Sequence, residues 1–324
     1  MRITVVVTTY RKPRELELVL AGYGAQDDHD FDVVVADDGS GEGTARVVEE
    51  AARTGLDLTH VWHADRGFRK TEILNRALLD ARGDYVIFTD GDCIPRADLV
   101  RTHRELARRG RYLSGGYVRL PPGISRTLDL DDVRAGRPFD PRWLRERGHR
   151  PGRRVFRLLP PGRLPGLLDR LTPTRASFNG MNSSVAVRPA LEVDGFDLDF
   201  TYGGLDREFG ARLRNLGLRP VQIRHRAVVL HLHHERPYRD REAQERQKRR
   251  LAEIERGGRT RAVRGLSSLD RDVETRVTRH GRGRGGTPVG RPRAGPDDAE
   301  AEGKRGETSR PSDGPIPEAS EEMR

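Results

Sequence analysis

The chain has 324 residues, 34% of them hydrophobic and 34% charged, and a formal net charge of +10. That length holds one large domain or two small ones, and the single cysteine, Cys93, excludes an internal disulfide framework and a cysteine-based zinc cluster. Excess Lys/Arg attracts polyanions, yet half of it lies beyond residue 235, where 236–293 carry 18 Lys/Arg against 8 Asp/Glu and 294–324 carry 4 against 9.

Residues 2–9 read as a buried strand and 13–24 as a helix whose Leu16, Val19 and Leu20 share one face. The alternation continues with a strand at 31–36, a helix at 44–53, a strand at 56–62, a helix at 70–81 and a strand at 85–89. Strands alternating with helices imply right-handed crossovers and an α/β, mainly parallel sheet. Residues 121–176, rich in Pro, Gly and Arg, lack clear periodicity and are expected to be irregular or partly helical. A strand at 183–187, a helix at 206–216 and a strand at 228–231 follow. The expected domain is 1–245, divided into 1–120 and 121–245. Residues 246–324 form a basic, then acidic, tail that is largely disordered from 281 on, although some helix continues past 250.

In parallel sheets ligands bind at the carboxyl ends of strands, and four polar segments fall there. They are Thr8-Thr9-Tyr10-Arg11, Asp37-Asp38-Gly39-Ser40, His63-Ala64-Asp65-Arg66 and Asp90-Gly91-Asp92. Two carboxylates flanking a glycine offer oxygen ligands to a hard divalent cation, and the missing side chain leaves room for a bulky anion. Asp37 or Asp38 could accept hydrogen bonds from a nucleobase or ribose, while Ser40 reads equally as a cap or turn residue. His231-Leu232-His233-His234 ends the last strand, and imidazole joins carboxylates around a borderline cation; a packing or solvent-facing cluster is the plain alternative. His103, on the helix after Asp92, reads as a packing residue. The tail matches the dinucleotide pattern GxGxxG at 281–286 without a preceding strand, so it carries no weight.

Taken together, Val5-Val6-Val7-Thr8-Thr9-Tyr10, Ala36-Asp37-Asp38-Gly39-Ser40, Gly67-Phe68-Arg69-Lys70 with Asn75, and Phe88-Thr89-Asp90-Gly91-Asp92-Cys93-Ile94-Pro95 resemble family 2 glycosyltransferases of the GT-A fold. Asn179-Gly180-Met181-Asn182, Gly195-Phe196-Asp197 and Tyr202-Gly203-Gly204-Leu205-Asp206-Arg207-Glu208 resemble the acceptor half of the branch related to chondroitin polymerase and galactosyltransferase-type domains. The resemblance covers residues 1–240 and implies an inverting transfer of a sugar, from a UDP-sugar, to an acceptor hydroxyl in polysaccharide biosynthesis. It implies that Thr8, Tyr10, Asp37 and Asp38 line the nucleoside pocket and that Arg69 and Asn75 contact the donor. Asp90 and Asp92 would hold Mn²⁺ or Mg²⁺ and the diphosphate, with His231 completing the metal site and His233 or His234 as rivals. Asp206 would be the general base. One position departs from the family pattern, since Leu205 stands where a Glu usually precedes that Asp.

Two other readings compete with this one. A nucleotidyltransferase of similar fold would want a Gly-rich, Lys/Arg-bearing loop after the first strand, and Thr8 to Pro13 is not one. A nucleic-acid-binding protein would act through the Arg-rich tail; no nucleic acid is expected as a partner. No run of about 18 apolar residues occurs, and Met1-Arg2 leads into a strand without a signal-peptide pattern. The expectation is therefore a cytoplasmic protein, with peripheral association at the inner face of the membrane left open. Its partners would be a nucleotide-sugar donor and a glycan or lipid-linked acceptor.

Overall fold

Apolar side chains on both faces of a strand require cover on both sides, and the first strand shows this directly. In β1 (Ile3–Thr9) all seven residues are buried; Ile3, Val5 and Val7 face one hydrophobic cluster and Val6 the other. A computed structural model of the chain describes residues 1–150, 152–172, 174–200, 203–234, 241–270 and 272–281. All of them fall within one compact unit, Met1–Val289.

After β1 come α1 (Pro13–Gly24), β2 (Phe31–Asp37), α2 (Glu42–Arg53), β3 (Leu58–His63), α3 (Lys70–Leu79), β4 (Tyr85–Asp90) and the three-residue β5 (Cys93–Pro95). Then follow α4 (Leu99–Leu106), β6 (Arg111–Ser114), β7 (Gly116–Arg119), α5 (Pro122–Thr127), α6 (Leu130–Arg134), α7 (Pro141–Glu146) and α8 (Arg163–Leu171). The remainder is β8 (Ser183–Ala186), α9 (Val187–Glu192), α10 (Leu205–Asn215), β9 (Arg219–Gln222), β10 (Val228–His231), α11 (Arg241–Gly257) and β11 (Thr275–His280). The main sheet has the order β11-β3-β2-β1-β4-β8-β6-β9, with β3, β2, β1 and β4 parallel. A second sheet of order β5-β10-β7 stands beside it, so that the chain leaving Asp92 pairs with the strand ending at His231. The expected α/β architecture is what the chain adopts, and the 121–176 stretch is partly helical, with α5 to α8 joined by 3₁₀ turns.

Beyond residue 245, where the domain was expected to end, the chain continues in the same packed unit. Ile254 of α11 is buried against the same cluster as Phe209 of α10, and β11 pairs antiparallel with β3 from Thr275↔His63 to His280↔Leu58. These residues read as tail because an edge strand needs only backbone hydrogen bonds. Arg276, Thr278 and Arg279 keep their side chains in solvent. The tail expected from residue 282 on, including most of the GxGxxG match, lies outside the described residues.

Candidate active site

The register of β1 with β2 and β4 brings the polar strand ends together, pairing Thr9 with Asp37 and Thr8 with Asp90. Thr8 Oγ1 donates to Asp90 Oδ1 at 3.0 Å. Gly91 donates its N–H to the Thr8 carbonyl, and a Cβ at position 91 would lie 2.8 Å from that oxygen. The glycine of Asp90-Gly91-Asp92 is therefore required by the approach of β1's backbone, not only by space for a ligand.

Asp92 is 7% exposed and surrounded by cations and imidazoles. Lys12 Nζ lies 3.0 Å and His234 Nε2 3.5 Å from its Oδ2. Burial opposes its charge, yet His231, Lys12 and His234 together hold the carboxyl below the ordinary carboxylate range. His231 donates Nδ1–H to the Leu232 carbonyl at 2.6 Å, which leaves Nε2 as the ring atom available to a ligand, and its ring stacks on that of His234 with centroids 5.2 Å apart. Asp92, His231 and His234 can bring one ligand atom each within 4.8 Å of one another, as can Asp90, Asp92 and Cys93. The first set fits a borderline cation better. Burial, followed by Asp92 and Asp90, pushes the Cys93 thiol well above its ordinary value, whereas metal ligation needs the thiolate. Of the three histidines singled out in the sequence, His233 is exposed and offers Ser125 its backbone N–H.

Asp206 reaches the same place from the other half of the chain. Phe88 and Phe209 pack edge-on with centroids 6.2 Å apart, Asp90 follows Phe88 by two residues on the same strand face, and Asp206 precedes Phe209 by almost one helical turn. Phe178 and Phe196 complete the aromatic cluster, Phe196 stacking on Phe209 at 4.3 Å. Gly180 lies under the carboxylate so closely that a Cβ there would sit 2.5 Å from Asp206 Oδ1. Burial raises Asp206 to about 6, with nearby Lys70 pulling it down and Asp90 pushing it up. Oδ1 has no hydrogen-bond partner among the described residues.

Lys70 links the two halves, and sequence reasoning missed its role. Its Nζ lies 2.5 Å from Asp90 Oδ1, and although burial disfavours the charge, Asp90, Asp206 and Asp92 hold it protonated. Lys12 was missed as well. Lys70 stood in the Gly67-Phe68-Arg69-Lys70 motif without a role of its own, and the one signal for Lys12 was its place just after the end of β1.

The remaining expected donor contacts divide. Tyr10, at the rim, donates to Asp65 Oδ2 at 3.0 Å and remains 36% exposed. Asp38 accepts from His63 Nε2 at 2.7 Å and from the Arg69 N–H at 3.1 Å. Arg69 spends its guanidinium on Glu72 and the Ala64 carbonyl. Asp37 is fully buried, holding Ser40 N–H at 2.8 Å and His60 Nε2 at 3.0 Å, so the turn consumes both its oxygens. Asn75, expected at the donor, has a buried amide that exchanges two hydrogen bonds, of 2.7 and 2.8 Å, with the backbone of Phe196. It staples α3 to the segment before α10 and faces no ligand space. Leu205 is 5% exposed and packs in the cluster of Phe209, so this position serves the core. His103 donates and accepts with Ser184 and Asn182, and burial lowers it to about 4.

Residues 4–142 match the family model "Glycosyl transferase family 2". A glycosyltransferase of Bacillus subtilis (strain 168) described as uncharacterized, YfnE, is 35% identical over 105 residues, 32% of this chain and 26% of that protein. A chondroitin synthase of Escherichia coli is 31% identical over 105 residues, 32% of this chain and 15% of its own length. The chain thus spans about a quarter or less of these relatives. The mannosyltransferase PcManGT from Pyrobaculum calidifontis, solved with GDP-Man and Mn²⁺, superposes with a TM-score of 0.50 at 24% identity, covering 73% of this chain and 58% of that one. The strand-end constellation lies within the matched stretch: residues 4–142 are similar to family 2 glycosyltransferases, and the sheet order is that of a GT-A fold.

Proposed function

We propose that the chain is an inverting glycosyltransferase that takes a sugar from a nucleotide diphosphate donor, in the first instance a UDP-sugar, and passes it to a hydroxyl of a growing glycan. The observation that carries this reading is Asp206, a carboxylate with one unpartnered buried oxygen, raised to about 6, facing Asp90 across Lys70. At neutral pH it is ionised yet basic enough to take a hydroxyl proton as the oxygen attacks the anomeric carbon from the face opposite the nucleotide. The rim formed by Tyr10 and the loop before α3, held in place by Asp38, would receive the nucleoside. Asp92, His231 and His234, with Asp90 adjacent, would hold Mn²⁺ or Mg²⁺, which when bound supplies positive charge to the departing diphosphate. Lys12 and Lys70, now on Asp92 and Asp90, are long enough to turn onto phosphate oxygens. Gly180 keeps the base close, and the aromatic cluster under α10 fixes its direction.

The test is turnover of a panel of UDP-, GDP- and dTDP-sugars with and without Mn²⁺; GDP-sugars are included because the mannosyltransferase of like fold was solved with one. Metal-dependent release of nucleotide diphosphate from one donor, lost in Asp206→Asn while that variant still binds the donor, supports the proposal. Release of pyrophosphate from a nucleoside triphosphate would replace it with nucleotidyl transfer. Because the base must be deprotonated, kcat/KM should fall as pH drops through about 6, and a profile flat down to pH 4.5 or so would remove Asp206 from that role.

A further inference from the structure

Among the described residues no helix is long and apolar enough to cross a membrane, yet α8 presents an apolar stripe to solvent. Leu164, Leu167 and Leu171 are 53%, 48% and 67% exposed. At about 100° per residue these three fall within one narrow arc of the helix. The opposite side is fixed to the domain. Asp169, nearly buried, accepts from the His225 N–H at 2.9 Å and from Arg226 Nε at 2.8 Å, and Arg224 caps the carbonyl of Thr172. Pro165 is buried on the same side. The helix is thus clamped with its leucines outward, an orientation that costs free energy in water unless something covers them.

The surrounding charge says what covers them. Residues 137–175 contain eleven arginines against three acids; Asp169 is used internally, and of the arginines Arg137 pairs with Asp132 and Arg175 with Glu255. Arg163 and Arg170 lie together along one edge of the leucine stripe, and neither is in an ion pair with a carboxylate among the described residues. Phe156, in the 3₁₀ turn before α8, is 52% exposed. A protruding leucine stripe edged by arginines is what an interfacial helix uses, apolar side chains entering the acyl boundary and guanidinium groups meeting lipid phosphates.

We propose that α8 docks the domain onto a bilayer surface rich in anionic lipid. The acidic segment 294–324 matches the arginines in charge, but besides its alanines it offers only Ile316 and Met323 to cover an apolar stripe. A second copy of the chain would bring the same positive charge into contact with itself. Docking there would hold the active site near an acceptor carried on lipid, and it stands whether or not the transferase reading does.

The experiment is co-sedimentation of the full chain with vesicles of phosphatidylcholine alone and of equal parts phosphatidylcholine and phosphatidylglycerol. Binding to the anionic vesicles should exceed binding to the neutral ones. It should fall about tenfold or more when Leu164, Leu167 and Leu171 are all changed to Ser, and also in Arg163→Glu/Arg170→Glu, with the thermal midpoint unchanged in both. Equal binding by the leucine variant, or no binding to anionic vesicles, overturns the proposal. So does binding seen only after residues 290–324 are removed, which would make the acidic segment the occupant. A dimer in solution abolished by the same leucine changes would overturn it in favour of self-association.

Discussion

The ends of β2 and β4 look alike in sequence, each with two aspartates and a glycine, and the structure uses them in opposite ways. Asp37 and Asp38 are held by imidazoles and backbone N–H groups that belong to the fold, His60 and Ser40 for the first, His63 and Arg69 for the second. Asp90 accepts from the Thr8 hydroxyl, but the charges of Asp90 and Asp92 are met mainly by the tips of Lys70 and Lys12, flexible ammonium groups that a cation or a phosphate can displace. Carboxylates satisfied by fixed donors build a turn, whereas those satisfied by mobile countercharges remain open to chemistry. This distinction cannot be read from residue type, because both pairs are acidic and at strand ends.

Substitutions test that contrast. The largest expected effects are on turnover: Asp206→Asn should lower kcat by about 10²–10⁴-fold with donor affinity retained, and Asp92→Ala should remove metal-dependent turnover and Mn²⁺ binding by calorimetry, while its thermal midpoint stays near wild type because Lys12 can return to water. Gly180→Ala comes next, since the added methyl must displace Asp206 Oδ1 from 2.5 Å; kcat should fall about tenfold or more, by the sensitivity of catalysis to sub-ångström placement, with KM for the donor little changed. Asp37→Ala should behave in the opposite sense, costing about 1–3 kcal/mol of stability by denaturant titration because Ser40 N–H and His60 lose their buried partner. If instead Asp37→Ala is as stable as wild type and loses donor binding, the division between the two strand ends collapses.

The smallest effect is the most diagnostic. Lys70 lowers the Asp206 carboxyl from where burial would put it, so Lys70→Met should move the acidic limb of the kcat/KM profile to higher pH. The sign is fixed, because removing a nearby positive charge favours the protonated acid. A limb that stays in place would mean that Lys70 does not reach Asp206 in the working enzyme.

Much of this was legible beforehand. Period and punctuation located β1 to β4 and α1 to α3, because strands buried on both faces and amphipathic helices each leave a strong repeat. The short strands β5, β6, β7 and β9 left no such repeat, and β11 was hidden by its arginines. Asp90, Asp92, His231 and Asp206 were singled out from their motifs, and the fold brings all four to one sheet edge. The place of Asn75 was not legible, because a motif records that a residue is needed, not which way it faces, and here it bonds the backbone of Phe196.

The sequence by itself determined the layer architecture and the set of carboxylates and imidazoles available for chemistry, since hydrophobic period and strand-end position are local properties. The tertiary structure alone decided which carboxylates are free, which lysines guard them, that His234 rather than His233 joins Asp92, and that the leucines of α8 face water. Each of those depends on contacts between residues far apart in the chain, such as Phe88 with Phe209 or Asp169 with His225, and no local pattern encodes them.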